Sequence, residues 1–264
     1  MSRISVELVP RSRSGLKAEL AEVTAHLSEV DTVNIPDLTR YSLRSWAGCS
    51  FAGPGLTSIP HLRAVDFNPR EPLPFLPLLE AHGIEEVLVV TGDAPVDMSA
   101  KVYDVDAVDL IRRLSREAPH LRVYAGLDPY RQSFVRERNY LERKLDAGAY
   151  GFFTQPFFDL RVADTWGDLL PDGTPVWWGA TSILTEASFN YWRARNHAVF
   201  PRSFTPTLAC NRTFARDLLH FARERGQHAY FMPVKVKVLD YLGGLLGGQQ
   251  ERLPHQEVVW NASL

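Results

Sequence analysis

The chain has 264 residues, 45% of them hydrophobic, which is enough for one barrel-sized core or two small domains. Its 29 Lys and Arg against 31 Asp and Glu leave a formal charge of -2, so no global field is available to hold nucleic acid or an anionic membrane, and neither partner is expected. Cys49 and Cys210 have no CxxC spacing and no paired histidines nearby, which argues against a disulfide framework or a structural zinc site; no metal is expected, and a reducing cytoplasm fits best.

The first residues lack a long apolar run, and nothing later approaches the roughly eighteen uncharged apolar residues of a spanning helix, so neither secretion nor membrane insertion is expected. Prolines and glycines are scattered and no repeat of fixed period occurs, so 1–264 reads as a single domain. In chain order, apolar runs at 4–9, 32–35, 61–65, 86–91, 122–127, 151–154, 175–179 and 229–232 read as strands. Helical periodicity falls between them at 15–28, 72–82, 107–117, 134–147 and 212–225. Continuous apolar runs suit strands buried on both faces, as in a parallel sheet wrapped by helices. Eight such units predict an α/β fold, a closed (βα)8 TIM barrel. An open doubly wound sheet competes less well, because the first βα turn has no G-x-G-x-x-G and no Walker A sequence occurs.

In such a barrel the polar residues at strand exits carry chemistry; here these are Glu7, Asp37, His61, Asp66, Asp93, Asp128, Gln155 and Lys235. Glu7, inside Ser5-Val-Glu-Leu-Val-Pro10, has two readings of equal weight. Desolvation makes it a general acid, or an arginine makes it half of an ion pair at the bottom of the barrel. Asp93 follows Gly92, a glycine that lets a ligand approach the backbone, but an aspartate there also suits a turn or helix cap. Arg143 and Lys144 close a helix, where they complement its dipole or reach a pyrophosphate. Gln155 can donate to and accept from an amide-bearing ring, as any structural glutamine can. Trp177, Trp178, Phe189 and Tyr191 read as packing.

The order and spacing of Ser5-Val-Glu-Leu-Val-Pro10, Pro60-His-Leu62, Gly92-Asp93, Tyr103, Lys144-Leu-Asp-Ala-Gly-Ala149 and Thr154-Gln-Pro-Phe-Phe-Asp159 resemble the catalytic barrel of the methylenetetrahydrofolate reductases. That resemblance implies an oxidoreductase of one-carbon metabolism, serving methionine biosynthesis, in which FAD passes hydride from NAD(P)H to 5,10-methylenetetrahydrofolate. It implies Glu7 as the acid that protonates folate N10, Asp93 as the carboxylate on the pterin, and Gln155 and Trp192 as folate contacts. His61, Thr91, Gly92, Asp93, Tyr103, Tyr124, Glu137, Arg143 and Lys144 match flavin-contacting positions. Apolar positions on outer helix faces are compatible with a homo-oligomer.

Departures from the family pattern gather around the cofactor. Thr91 stands where many members have arginine, Tyr140 replaces an asparagine, Glu137 an aspartate, Asp128 some members' histidine, and Met232-Pro-Val-Lys235 a Leu-Asn-Arg strand end. One lost arginine near a pyrophosphate removes about 1.5–3 kcal/mol of contact. Two alternatives therefore stand beside the flavoenzyme: a flavin-independent folate reductase taking hydride directly from a nicotinamide dinucleotide, and a non-catalytic folate-binding or methyltransfer-complex subunit.

Overall fold

The computed structural model describes residues 2–94 and 101–246. Eight parallel strands close on one another in sequence order: β1 (Ile4–Glu7), β2 (Thr32–Ile35), β3 (Thr57–Arg63), β4 (Glu86–Val90), β5 (Arg122–Leu127), β6 (Gly151–Pro156), β7 (Val176–Thr181) and β8 (His228–Met232). The register of β8 on β1, Ile4 opposite Ala229 and Val6 opposite Phe231, completes the circle. The helices are α1 (Arg13–His26), α2 (Ser45–Cys49), α3 (Leu76–Ala81), α4 (Ala107–Glu117), α5 (Phe134–Asp146), α6 (Leu160–Leu169), α7 (Glu186–Arg195), α8 (Leu208–Glu224) and α9 (Val238–Leu242), with a 3-10 turn at Ala64–Asp66. The fold is the expected (βα)8 barrel. The C-terminal end of the expected 1–264 span lies outside the described residues.

Alternation along each strand divides the interior in two. Ile4 and Val6, Val33 and Ile35, Val87 and Val89, and Ala229 and Phe231 face outward into the helix layer and form one core. The opposite faces of six strands meet in a second cluster, Ile59, Leu88, Tyr124, Phe153, Trp177 and Tyr230, which fills the lumen. Phe153 and Trp177 stack there at 4.8 Å, and Tyr230 meets Phe153 edge-on. Below this plug, at the N-terminal strand ends, Arg3 donates twice to Glu86 at 2.9 and 3.0 Å, and Arg122 approaches the same carboxylate at 3.3 Å. The bottom-layer ion pair that remained open for Glu7 thus belongs to Glu86.

The third strand begins at Thr57, four residues before the apolar run that announced it. Pro60 obscured it, because a proline without an N–H argues against a central strand. It is tolerated where it falls, at the last residue paired with β2, with the pairing to β4 starting at His61. Helices α2, α6, α7 and α9 lie outside the segments that the periodicity predicts. Helix α7 has no buried residue and hence little apolar stripe to read, whereas α6 shows a cap, with the Asp159 side chain accepting from the Arg161 amide.

Candidate active site

Glu7 ends β1 at the C-terminal mouth, facing inward above the lumen plug. The Tyr230 hydroxyl, brought across from β8, donates to Glu7 Oε2. Apolar surroundings strip water from the carboxyl and push its pKa up to about 7, a rise that the tyrosine's hydrogen bond opposes. The phenol is pushed well above its ordinary 10 by burial and then by the adjacent carboxylate, so it remains a donor. An acid half-protonated at neutral pH is the group a proton transfer to a weakly basic nitrogen needs.

Beside this pair the lumen wall is polar where β1, β2 and β3 meet. Ser5 donates to Asn34 Oδ1, which leaves the Asn34 amide to donate to His61 Nε2 at 3.2 Å. Burial pushes the His61 imidazole down to about 3, so the ring is neutral throughout the working range. Its Nε2 accepts, which places the ring proton on Nδ1.

Asp93 follows β4, with Gly92 at φ +84, and is exposed at the mouth. Gln155 is exposed on β6, where the register to β7 shifts between Phe153 and Pro156. Trp192, on α7, closes over Phe158 at 5.6 Å in a mouth-side aromatic cluster with Phe189, Phe200 and Phe204. The three expected folate contacts are therefore carried on the same face as Glu7. Trp177 and Trp178 are buried packing residues of the lumen and helix layer.

The residues expected around FAD separate into two groups. Gly92, Tyr103 and Arg143 lie at the rim, with Arg143 63% exposed at its side chain. His61, Tyr124, Glu137 and Lys144 are closed. Tyr124 belongs to the lumen plug. Glu137 has no exposed surface and accepts from the Asp128 amide, Gln132 and Arg131. Lys144 is 2% exposed, donates to the Gly126 carbonyl at 2.5 Å, and is pushed down to about 8 by burial. Two departures explain the closure: the Tyr140 hydroxyl pairs with Thr91 Oγ1 at 3.4 Å, and its ring packs under Lys144 Nζ at 4.0 Å, with Arg131 and Arg143 alongside. Thr91 Oγ1 also accepts from the Ala107 amide at 3.3 Å. As folded, this set does not fit a flavin, because Lys144, the cation that would meet its diphosphate, is buried against the Gly126 carbonyl, and Glu137, which would meet its ribose side, is buried among its own donors.

Residues 45–174 match the methylenetetrahydrofolate reductase family. Over that segment, just under half of its length, the chain is similar to these enzymes. It is 30% identical to 5,10-methylenetetrahydrofolate reductase of Escherichia coli (strain K12) over 108 residues, 40% of this chain and 36% of that protein. To the probable methylenetetrahydrofolate reductase (NADPH) of Caenorhabditis elegans it is 27% identical over 147 residues, 53% of this chain and 22% of that one. The aligned segment thus spans little more than a third of the bacterial relative and less of the nematode one. Among solved structures, 2,3-dimethylmalate lyase superposes with a TM-score of 0.56 at 13% identity, covering 89% of this chain and 75% of that one. Oxaloacetate acetylhydrolase gives 0.54 at 10%, with 88% and 75% covered. At such identities these likenesses show the barrel alone. Glu7, Tyr230 and Trp192 lie outside the family match at 45–174, and Asp93 and Gln155 lie within it.

Among the described residues no group of three or more His, Cys, Asp or Glu is placed to hold a metal, and no helix is long and apolar enough to cross a membrane. Sequence reasoning gives Tyr230 and Asn34 no role in the site. Their one signal was a polar atom at an inward position of a strand, and that becomes readable only when the barrel closes and gives each its neighbour.

Proposed function

We propose that this chain is a methylenetetrahydrofolate reductase-type oxidoreductase that moves hydride between a nicotinamide dinucleotide and the one-carbon unit of 5,10-methylenetetrahydrofolate. The observation that carries this reading is Glu7: a half-buried carboxyl with a pKa of about 7 at the mouth of a barrel similar to that family. The Glu7 proton goes to folate N10 as the N10–CH2 bond breaks, which leaves an N5 iminium. Hydride from the dihydronicotinamide then adds to the iminium carbon, giving 5-methyltetrahydrofolate and the oxidised nicotinamide, and Glu7 regains a proton from water. Asp93 and Gln155 hold the pterin amide and amine groups, and Trp192 offers an aromatic wall. The protein's part is to orient, to exclude water and to supply the proton.

Direct transfer is favoured over transfer through FAD because Glu137 and Lys144 are buried against protein partners and Tyr140 lies against Thr91. The flavin route is supported by the rim residues Tyr103 and Arg143, and it requires Glu137 and Lys144 to leave their partners. The visible absorption spectrum of purified protein, titrated with FAD, separates the two. The expected result is no bound flavin and no spectral shift; a stoichiometric flavin bleached by NAD(P)H and restored by methylenetetrahydrofolate would establish the flavin route.

The acid role fixes a pH profile. The protonated carboxyl is the active form, so kcat/KM should be level below pH 7 and fall about tenfold per pH unit above it. In Tyr230→Phe the donor that favours the carboxylate is gone while the ring still fills the lumen, so the falling limb moves to higher pH. Steady-state rates from pH 6 to 9 on both proteins check this; a limb unmoved by the substitution contradicts it.

A further inference from the structure

We propose that Arg63 is the positioning residue of the folate site, holding Asp93 over the barrel mouth. This rests on the folate reading above. Arg63 ends β3, faces inward beside the β4 exit, and is 8% exposed. Its Nη2 donates to the Asp93 main-chain carbonyl at 2.5 Å and approaches Asp66 Oδ1 at 3.4 Å. Asp66 Oδ2 in turn accepts from Arg44 at 2.8 Å, and Arg44 Nε donates to Asp37 at 3.0 Å. One chain of ion pairs therefore ties the exits of β2, β3 and β4 to the backbone of Asp93.

The backbone is shaped around this guanidinium. Gly92 adopts φ +84, and a Cβ built on it would lie 3.0 Å from both Arg63 Cβ and Arg63 Nε. The glycine leaves the space that Arg63 fills. Among the described residues Arg63 Nε has no hydrogen-bond partner although it is buried, an arrangement that costs stability and that an apolar side chain of similar volume would avoid. A cation kept there at a cost, with its one strong main-chain contact on the loop that presents Asp93, is explained by what it does for that loop. Thr91 is turned away to Tyr140 and Ala107, and the guanidinium beside Gly92-Asp93 comes from the neighbouring strand.

The test uses the whole chain, with Arg63→Met, Arg63→Lys, Asp93→Asn and the Arg63→Met/Asp93→Asn double variant. The dissociation constant of 5-methyltetrahydrofolate is read by tryptophan quenching without any reductant. Arg63→Met is expected to weaken binding about tenfold, the loss of one charge-assisted contact, with Arg63→Lys in between and the pH limb of Glu7 unmoved. Acting through Asp93, it should cost nothing further in the Asp93→Asn background. A full additional tenfold loss in the double variant, or wild-type binding by folded Arg63→Met, overturns the proposal. Where methionine does not fold, lysine carries the same comparison. Amide exchange across 90–94 is a second readout that needs no folate: faster exchange confined to that segment in the Arg63 variants is expected, and unchanged exchange overturns the proposal. If wild-type protein binds no folate, the functional reading falls, and exchange still decides whether Arg63 positions the loop.

Discussion

Glu7→Gln is expected to lower kcat/KM by about 10²- to 10⁴-fold at neutral pH while making the protein more stable in alkali. Both effects have one cause. The carboxyl titrates near 7 in the fold against an ordinary 4.5, so between those values the folded state binds the extra proton. Its contribution to stability is fully present below about pH 4.5 and is lost as pH rises through about 7, at a cost of about 3 kcal/mol. Glutamine keeps the volume and an acceptor for Tyr230 but never ionises. Its melting temperature should exceed the wild type's by roughly 5–10 °C at pH 8 and by much less at pH 5. Melting curves at the two pH values, with turnover at pH 7, measure both. A variant that is inactive but no more stable at pH 8 would mean that Glu7 is not held in an apolar setting; one that is more stable yet fully active would remove Glu7 from the chemistry.

Glu86→Gln should do the reverse. This carboxylate is 2% exposed at the other end of the barrel and accepts two hydrogen bonds from Arg3, with Arg122 at 3.3 Å. Arg3 also donates to Thr32 and lies 4.9 Å from the Trp177 ring, so its position depends on the pair. Removing one partner of a buried pair leaves the other charge uncompensated, typically at 3–5 kcal/mol; the lower end applies because Arg3 and Arg122 keep 22% and 48% of their side-chain exposure. The expected result is a melting temperature lower by roughly 6–12 °C with kcat unchanged at temperatures where the variant is folded. A fall of only a degree or two would show that the pair is solvated like a surface ion pair. The contrast separates the two ends of the barrel: at the mouth a carboxyl that pairs with no cation among the described residues, available for chemistry, and at the base a carboxylate with two cations, holding the strands.

The eight strands were legible because a barrel strand buried on both faces is a short apolar run, and all eight runs coincide with strands of the closed sheet. Boundaries were less legible where a local signal contradicted the tertiary pairing, as at Pro60. At the site, Glu7 stood out as a charge inside an apolar strand, but whether it faced an arginine or a cavity depended on which end of the barrel it occupied. The sequence pattern could not distinguish a flavin contact from a packed residue at Tyr124, Glu137 or Lys144, because each is the right residue type and only burial separates the uses. Thr91 and Tyr140 were read as two separate losses, whereas in the fold they touch and close one space. Arg63 escaped notice because its partner is a main-chain carbonyl on another strand's loop.

The most direct measurement is the rate of dihydronicotinamide oxidation by purified, flavin-free protein given 5,10-methylenetetrahydrofolate, followed from pH 6 to 9 with 5-methyltetrahydrofolate quantified. One 5-methyltetrahydrofolate per nicotinamide oxidised is expected, with a rate that falls above a pKa of about 7. No oxidation of NADH or NADPH by the flavin-free protein, or a rate indifferent to pH across that range, would contradict it.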